Sequence, residues 1–184
     1  MATLETSRLM LRQWQASDKS RFADMNADVE VMRYFPSTLN KMDSDAFVDR
    51  VTALIAERGW GLWAVELKNT EEFIGFIGLH TLRPDYPFAP GVEIGWRLAK
   101  SYWGRGYATE GAKVSLQFAF EQLRLPEIFS FTTLGNTRSQ AVMQRLGMVN
   151  TQQNFAHPKI PPSHPLAEHV LYKITAAQWQ ASTD

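Results

Sequence analysis

The chain has 184 residues, 45% of them hydrophobic and 21% charged, with Lys plus Arg and Asp plus Glu at 19 each. That is the composition of one globular domain with a sizeable core, and it excludes both a disordered chain and the basic footprint of a nucleic-acid binder. The absence of cysteine rules out a disulfide or a cysteine acyl-enzyme, and the lack of a signal-peptide core or a bilayer-length apolar run makes the cytoplasm the expected location.

Leu9 and Leu11 alternate with Arg8, Met10 and Arg12, so 8–14 reads as a half-buried strand. Ser17 is placed to cap a helix over 18–26, with Phe22 and Met25 facing inward. A short helix is expected over 29–33, broken where Pro36 pushes its predecessor out of the helical region. A third helix starts at Asp43 or Ser44, puts Phe47, Val48, Val51, Leu54 and Ile55 on one face, and ends at Gly59. The runs 61–67 and 73–82, separated by Lys68-Asn69-Thr70-Glu71-Glu72, read as a hairpin. A loop with Pro84, Pro87 and Pro90 leads to a strand over 91–98, antiparallel to the one before. The main helix runs over 107–123 on an inner row of Ala108, Ala112, Leu116, Ala119 and Leu123. Next come a strand over 128–133, a helix capped by Asn136 and ending at Gly147, and a strand pair over 148–155 and 168–174. No repeat or linker interrupts the chain, so 1–184 reads as a single domain, an α/β (α+β) chain with a mostly antiparallel sheet and helices on both faces.

The stretch 93–111 organises the rest. It runs from a strand through Gly104 and Gly106 into the main helix, an order that leaves backbone N–H groups free at a helix N-terminus and favours an anion. Glycine lets the backbone approach a phosphate where a Cβ would clash. Tyr107 follows Gly106 where a P-loop has lysine, and Thr109 takes the third glycine place of a dinucleotide loop, so neither fingerprint fits. An ordinary strand-to-helix turn is the alternative. The arrangement resembles the pyrophosphate loop of the GNAT family of acyl-CoA N-acyltransferases, and Trp103-Gly104-Arg105-Gly106-Tyr107-Ala108-Thr109-Glu110 looks most like its ribosomal-protein N-terminal acetyltransferase branch. Ser101 departs from the pattern, standing where Arg or Gln is usual. The resemblance extends over about residues 4–175 and implies the GNAT fold: a mixed, mostly antiparallel seven-stranded sheet whose strands at 92–98 and 128–133 are parallel neighbours that splay apart around coenzyme A. It implies acetyl-CoA as the donor, contacted by Trp96, Arg97, Leu98, Trp103, Gly104, Arg105, Gly106, Tyr107, Ala108, Thr109, Asn136 and Ser139.

Asn136-Thr137-Arg138-Ser139 opens the helix that ends in Leu146-Gly147-Met148, which matches the family's second signature. Many members carry a tyrosine seven residues after the Asn as the acid for the coenzyme A thiolate; here Met143 stands there and has no proton to give. The ribosomal-protein branch has a serine three residues after the Asn, and Ser139 matches it; a first-turn serine beside an N-cap is the bland alternative. Glu93 opens an apolar strand, where burial raises a carboxylate's pKa and suits it to take a proton from an ammonium. A structural salt bridge to Arg12, Arg97 or Lys100 is the other reading. The resemblance places a Glu here as the base, acting directly or through water, with a strand amide steadying the oxyanion.

The four histidines, at 80, 157, 164 and 169, have no metal-ligand spacing, so no metal is expected. Phe35, Trp63 and His157 are candidate substrate-binding residues, with Tyr34, Pro36 and Trp60 beside them. The resulting expectation is an acetyl-CoA-dependent N-acetyltransferase, monomeric or homodimeric, acting on a protein N-terminal amine. A small amine (polyamine, amino-sugar antibiotic or amino-acid derivative) is the alternative acceptor, and a non-catalytic sensor that binds coenzyme A is the rival from another class.

Overall fold

The computed structural model describes residues 1–183. Its elements are β1 (Leu4–Glu5), β2 (Leu9–Arg12), α1 (Asp18–Ala27), α2 (Lys41–Arg58), β3 (Leu62–Leu67), β4 (Phe73–Thr81), β5 (Val92–Leu98), α3 (Tyr107–Gln117), β6 (Glu127–Thr133), α4 (Thr137–Arg145), β7 (Val149–Asn150), β8 (Phe155–Ala156), β9 (Glu168–Thr175) and α5 (Ala176–Thr183). They fall into two compact units, one of residues 1–79 and 95–115, the other of residues 80–94 and 116 onward. The chain of β4, β5 and α3 runs through both.

In the first unit β1, β2, β3 and β4 pair antiparallel in sequence order. The β5 end follows, with Ala99 N–H donating to Ile74 O. Leu9 and Leu11 are wholly buried, as the alternation of β2 requires, and so are Ile74 and Ile77 of β4. Successive residues of β4 point to opposite faces. Phe76 meets Phe22 of α1 and Phe47 of α2, whereas Ile77 lies against Gly111 of α3. The helices therefore cover both faces of this part of the sheet. A Cβ at Gly75, whose φ is 144°, would run into the Arg97 carbonyl, so glycine there lets β4 and β5 close up.

The second unit is built on β9. Antiparallel β6 pairs with it throughout, from Glu127↔Thr175 to Thr133↔His169, and β7 and β8 also pair with it. The parallel pairing of β5 with β6 is a single register pair, Glu93↔Phe129. The sheet is thus mixed and mostly antiparallel, with one short parallel pair.

Several boundaries differ from the sequence expectation. Among the described residues there are nine strands, not seven, because short β1 was not foreseen and the strand expected over 148–155 is split into β7 and β8. Gln152 interrupts it at φ 60°, a left-handed conformation that no strand accommodates. The helix expected over 29–33 is a run of turns: the Asp28 carboxylate accepts Glu30 N–H, a local bond that competes with helix. Ser17 makes no side-chain cap to α1; the Asp18 carboxylate instead accepts Gln15 N–H and pairs with Arg12 at 2.8 Å. α2 starts earlier than Asp43 because Asn40 is its cap, accepting Asp43 N–H, and it ends at Gly59 with φ 84°. The main helix loosens into a π turn over Phe118–Gln122.

Candidate active site

The glycine loop lies in the first unit. A 3-10 turn over Lys100–Tyr102 leads into it, and the Trp103 indole N–H donates to Leu98 O at 2.8 Å. Gly104 and Gly106 have φ of 72° and 80°, which side-chain-bearing residues adopt only with strain. Trp103 N–H is spent on Lys100 O and Glu110 N–H on Gly106 O. Among the described residues none accepts from the amides of 104–109, as expected for a loop entering a helix N-terminus. No atom lies within 4 Å of a Cβ built at Gly104, so the loop presents bare backbone to an incoming anion. Arg8, which the sequence reading passed over, braces this loop. It holds Glu110 with Nε to Oε2 at 2.7 Å, lies over the Tyr107 ring at 4.4 Å, and comes within 3.4 Å of a Cβ at Gly106.

Along β5, odd- and even-numbered residues use opposite edges. Ala99 N–H donates to Ile74 O, while Ile94 O accepts the Ser130 hydroxyl. The amides of Trp96 and Leu98 share the Ile94 edge, and the parallel ladder there stops at Glu93↔Phe129. They are therefore donors without a ladder partner.

In the second unit, Asn136 caps α4. Its Oδ1 accepts Ser139 N–H at 3.2 Å, and its amide donates to Thr132 Oγ1 at 2.9 Å and Ser139 Oγ at 3.1 Å. Asn136 thus spends its side chain on orienting Ser139, whose Oγ accepts and keeps its own proton to give. Met143 is 1% exposed, a core residue of α4.

Glu93, Tyr86 and His157 form a second group in the same unit. Among the described residues no ion pair or side-chain hydrogen bond involves Glu93; of the three cations suggested for it, Arg12 is engaged with Asp18 and Glu66 and Arg97 with Asn26, and Lys100 makes no ion pair with it. Burial pushes the Glu93 carboxyl up to about 8. Tyr86 is raised by burial first and by the Glu93 charge second, which places the phenol within electrostatic reach of the carboxylate. The Tyr86 hydroxyl lies 3.1 Å from His157 Nε2. His157 Nδ1 accepts Lys159 N–H at 3.1 Å, and burial lowers the imidazole to about 4, so the ring is neutral with its proton on Nε2. Nε2–H then donates to Tyr86, leaving the phenol O–H to donate elsewhere. Phe88, Phe131 and Phe155 pack around Tyr86 at centroid distances of 5.4, 5.0 and 6.0 Å.

The sequence pattern of the acetyltransferase (GNAT) domain matches residues 8–149, most of the chain and all of the glycine loop. The chain belongs to the GNAT acetyltransferase family. This acetyltransferase is 28% identical over 184 residues to the FsC-acetyl coenzyme A-N(2)-transacetylase of Aspergillus fumigatus, covering 96% of this chain and 77% of that one. It superposes on a GNAT acetyltransferase from Bacillus anthracis with TM-score 0.79 at 24% identity, covering 96% of this chain and 99% of the other. A ribosomal-protein-S5-alanine acetyltransferase from Vibrio fischeri shares the fold, with TM-score 0.71 and 18% identity over 97% of this chain and 99% of that one.

The donor of this acetyltransferase is acetyl-CoA, and the bare, positive-φ loop ahead of α3 fits its pyrophosphate. The three substrate candidates fall in different places. Trp63 is 0% exposed, its indole N–H on Ala2 O at 3.1 Å, which makes it a core residue of the first unit. Phe35 is 43% exposed and stands over the Arg97 guanidinium at 4.5 Å. His157 holds Tyr86. The Arg97 side chain points to the face of α1 and α2, donating to Asn26 Oδ1 at 2.8 Å, and leaves only its backbone for the donor. Among the described residues no group of three His, Asp or Glu side chains is placed to hold a metal ion. Sequence reasoning missed Tyr86; an aromatic between Pro84 and Pro90 carries no signal until the loop is folded.

Proposed function

We propose that this acetyltransferase moves the acetyl group directly to a primary amine, a protein N-terminal amine foremost, with Glu93 as the base. The observation that carries the reading is the Glu93 carboxyl, desolvated, without an ion-pair partner among the described residues, and raised to about 8. A group in that state gains most from an approaching ammonium and takes its proton. Acetyl-CoA, when bound, supplies the thioester and a thiolate leaving group. The loop amides of 104–109 hold its pyrophosphate, with Arg8 keeping the loop in shape. The unpaired amide edge of β5, at Trp96 and Leu98, aims donors at the pantetheine and the developing oxyanion. Ser139, oriented by Asn136, gives its hydroxyl proton to the departing sulfur, the task for which buried Met143 has no group. Tyr86, positioned by neutral His157, keeps its O–H free to donate within electrostatic reach of Glu93.

The single-domain reading of the whole chain rests on β4, β5 and α3 running through both units. The choice of a protein N-terminus rests on the loop and Ser139 resembling the ribosomal-protein branch, and a neighbour of the same fold is named for a ribosomal-protein alanine. The transacetylase relative favours the second reading, a small amine. Release of free thiol from acetyl-CoA over N-terminal peptides, polyamines, amino sugars and amino-acid derivatives separates them. Peptide N-termini are expected to be the best acceptors; turnover confined to small amines overturns that choice, and none with any amine overturns the transfer itself.

A further inference from the structure

Among the described residues Arg97 is a charge without a counter-charge. Its side chain lies among three phenylalanines, with Cζ 4.5 Å from the Phe35 ring centroid, 5.3 Å from Phe76 and 5.8 Å from Phe47. Nη1 donates to Asn26 Oδ1, and Asn26 is itself buried and fixed by donating to Ser44 Oγ at 3.0 Å. Nε is buried with no partner. Among the described residues no carboxylate pairs with this guanidinium, and desolvation lowers it to about 10. The Nε–Nη2 side is the edge that takes a carboxylate in two parallel hydrogen bonds, and here it is the unspent one. Aromatic faces keep the charge tolerable without satisfying that edge. The group above it lies at the surface: Phe35 is 43% exposed and sits in the turn segment between α1 and α2. The glycine loop opens α3, which packs on the other face of β4, so the anion for Arg97 is not the pyrophosphate held there.

We infer that Arg97, with Asn26 behind it and Phe35 over it, is an anchor for a carboxylate on the acceptor. The inference rests on the amine-acetylation reading for the word acceptor. The carboxylate comes either from an acidic side chain near a peptide N-terminus or from the free carboxylate of a small amino acid.

The test uses matched acceptors that differ in one charge: peptides with Asp or Glu against Asn or Gln at the second to fourth positions, and amino acids against their carboxamides. Thiol release is measured for each. The wild type should favour the charged member of one series by roughly 10- to 100-fold in kcat/KM, the effect of a hydrogen bond to a charged group. The series in which this occurs identifies the source. Arg97→Gln should erase the preference, with the loss falling on KM for the charged member, and Arg97→Lys should keep only a small part of it. A merely structural arginine predicts equal losses on both members. Thermal shift with the same pairs reads the preference without turnover. A preference lost in Arg97→Gln supports the anchor even if no amine is acetylated, which would count against the transfer reading alone. Equal affinity of the wild type for charged and neutral members, or a preference that survives in both variants, overturns the inference.

Discussion

Two charged residues of β5 meet burial in opposite ways. In the first unit, Arg97 keeps its charge because phenylalanine faces and Asn26 surround it; a guanidinium is too basic to escape by losing a proton. In the second, Glu93 has no such partner and escapes by holding its proton up to about pH 8. A buried cation that stays charged is suited to binding, and a buried acid that titrates near neutrality is suited to proton transfer. On the proposed reading, anchoring and chemistry fall to different ends of one strand by what packs beside each.

The largest expected effect comes from breaking the Glu93 side. Glu93→Gln keeps the shape and removes the base, and should lower turnover on the order of 10²-fold or more at pH 8 with acetyl-CoA affinity kept. The wild-type kcat/KM should rise with pH through a limb near 8, and that limb should vanish in the variant. Full activity of Glu93→Gln at pH 7 to 8 would return Glu93 to a structural role.

The loop is next. Gly104→Val and Gly106→Val each place a β-branched residue at positive φ, costing about 1–2 kcal/mol before any ligand approaches, and set a side chain against the pyrophosphate. Acetyl-CoA should then no longer raise Tm, as it does in the wild type by mass action. An unchanged ligand shift in both variants would remove the loop from the donor site.

Ser139→Ala should slow turnover by a smaller factor, on the order of 10 to 10², because a thiol with a pKa near 8.5 leaves without much help. An unchanged kcat and acetyl-CoA affinity would reduce Ser139 to a cap partner of Asn136. Introducing tyrosine at Met143 is a poor rescue, since that side chain is a packed core residue.

The smallest effect sharpens the comparison through stability. The folded pKa of Glu93 lies above the ordinary 4.5, so the folded state binds the extra proton, and stability is lost as pH rises from about 4.5 through 8. His157 is lowered from 6.5 to about 4, so its contribution is present above 6.5 and lost as pH falls through 4. Glu93→Gln should therefore raise Tm at pH 8 relative to wild type and leave it nearly unchanged at pH 4. Tm curves of identical slope in the two proteins between pH 5 and 8 would contradict the unpaired burial of Glu93.

The sequence alone determined the parts whose cause is local. Hydrophobic period and caps placed α2, α3 and α4 and their ends at Gly59 and Gly147, because the 3.6 and 2.0 periods and a left-handed glycine are properties of a few neighbouring residues. The 93–111 stretch pointed to the family for the same reason: glycines at positive φ ahead of a helix are one local device. What went unseen locally also had local competitors: an Asx turn at Asp28 displaced the helix over 29–33, and Asp18 rather than Ser17 took the bond before α1. Only the tertiary structure decided the rest. It buried Trp63 in the core and turned the Arg97 side chain to the face of α1 and α2. It brought Tyr86 to His157 across 71 positions of sequence and left Glu93 without a cation. A side chain's charge state and task depend on which distant groups surround it, and burial and pairing between residues far apart in the chain leave no mark on the sequence next to either of them.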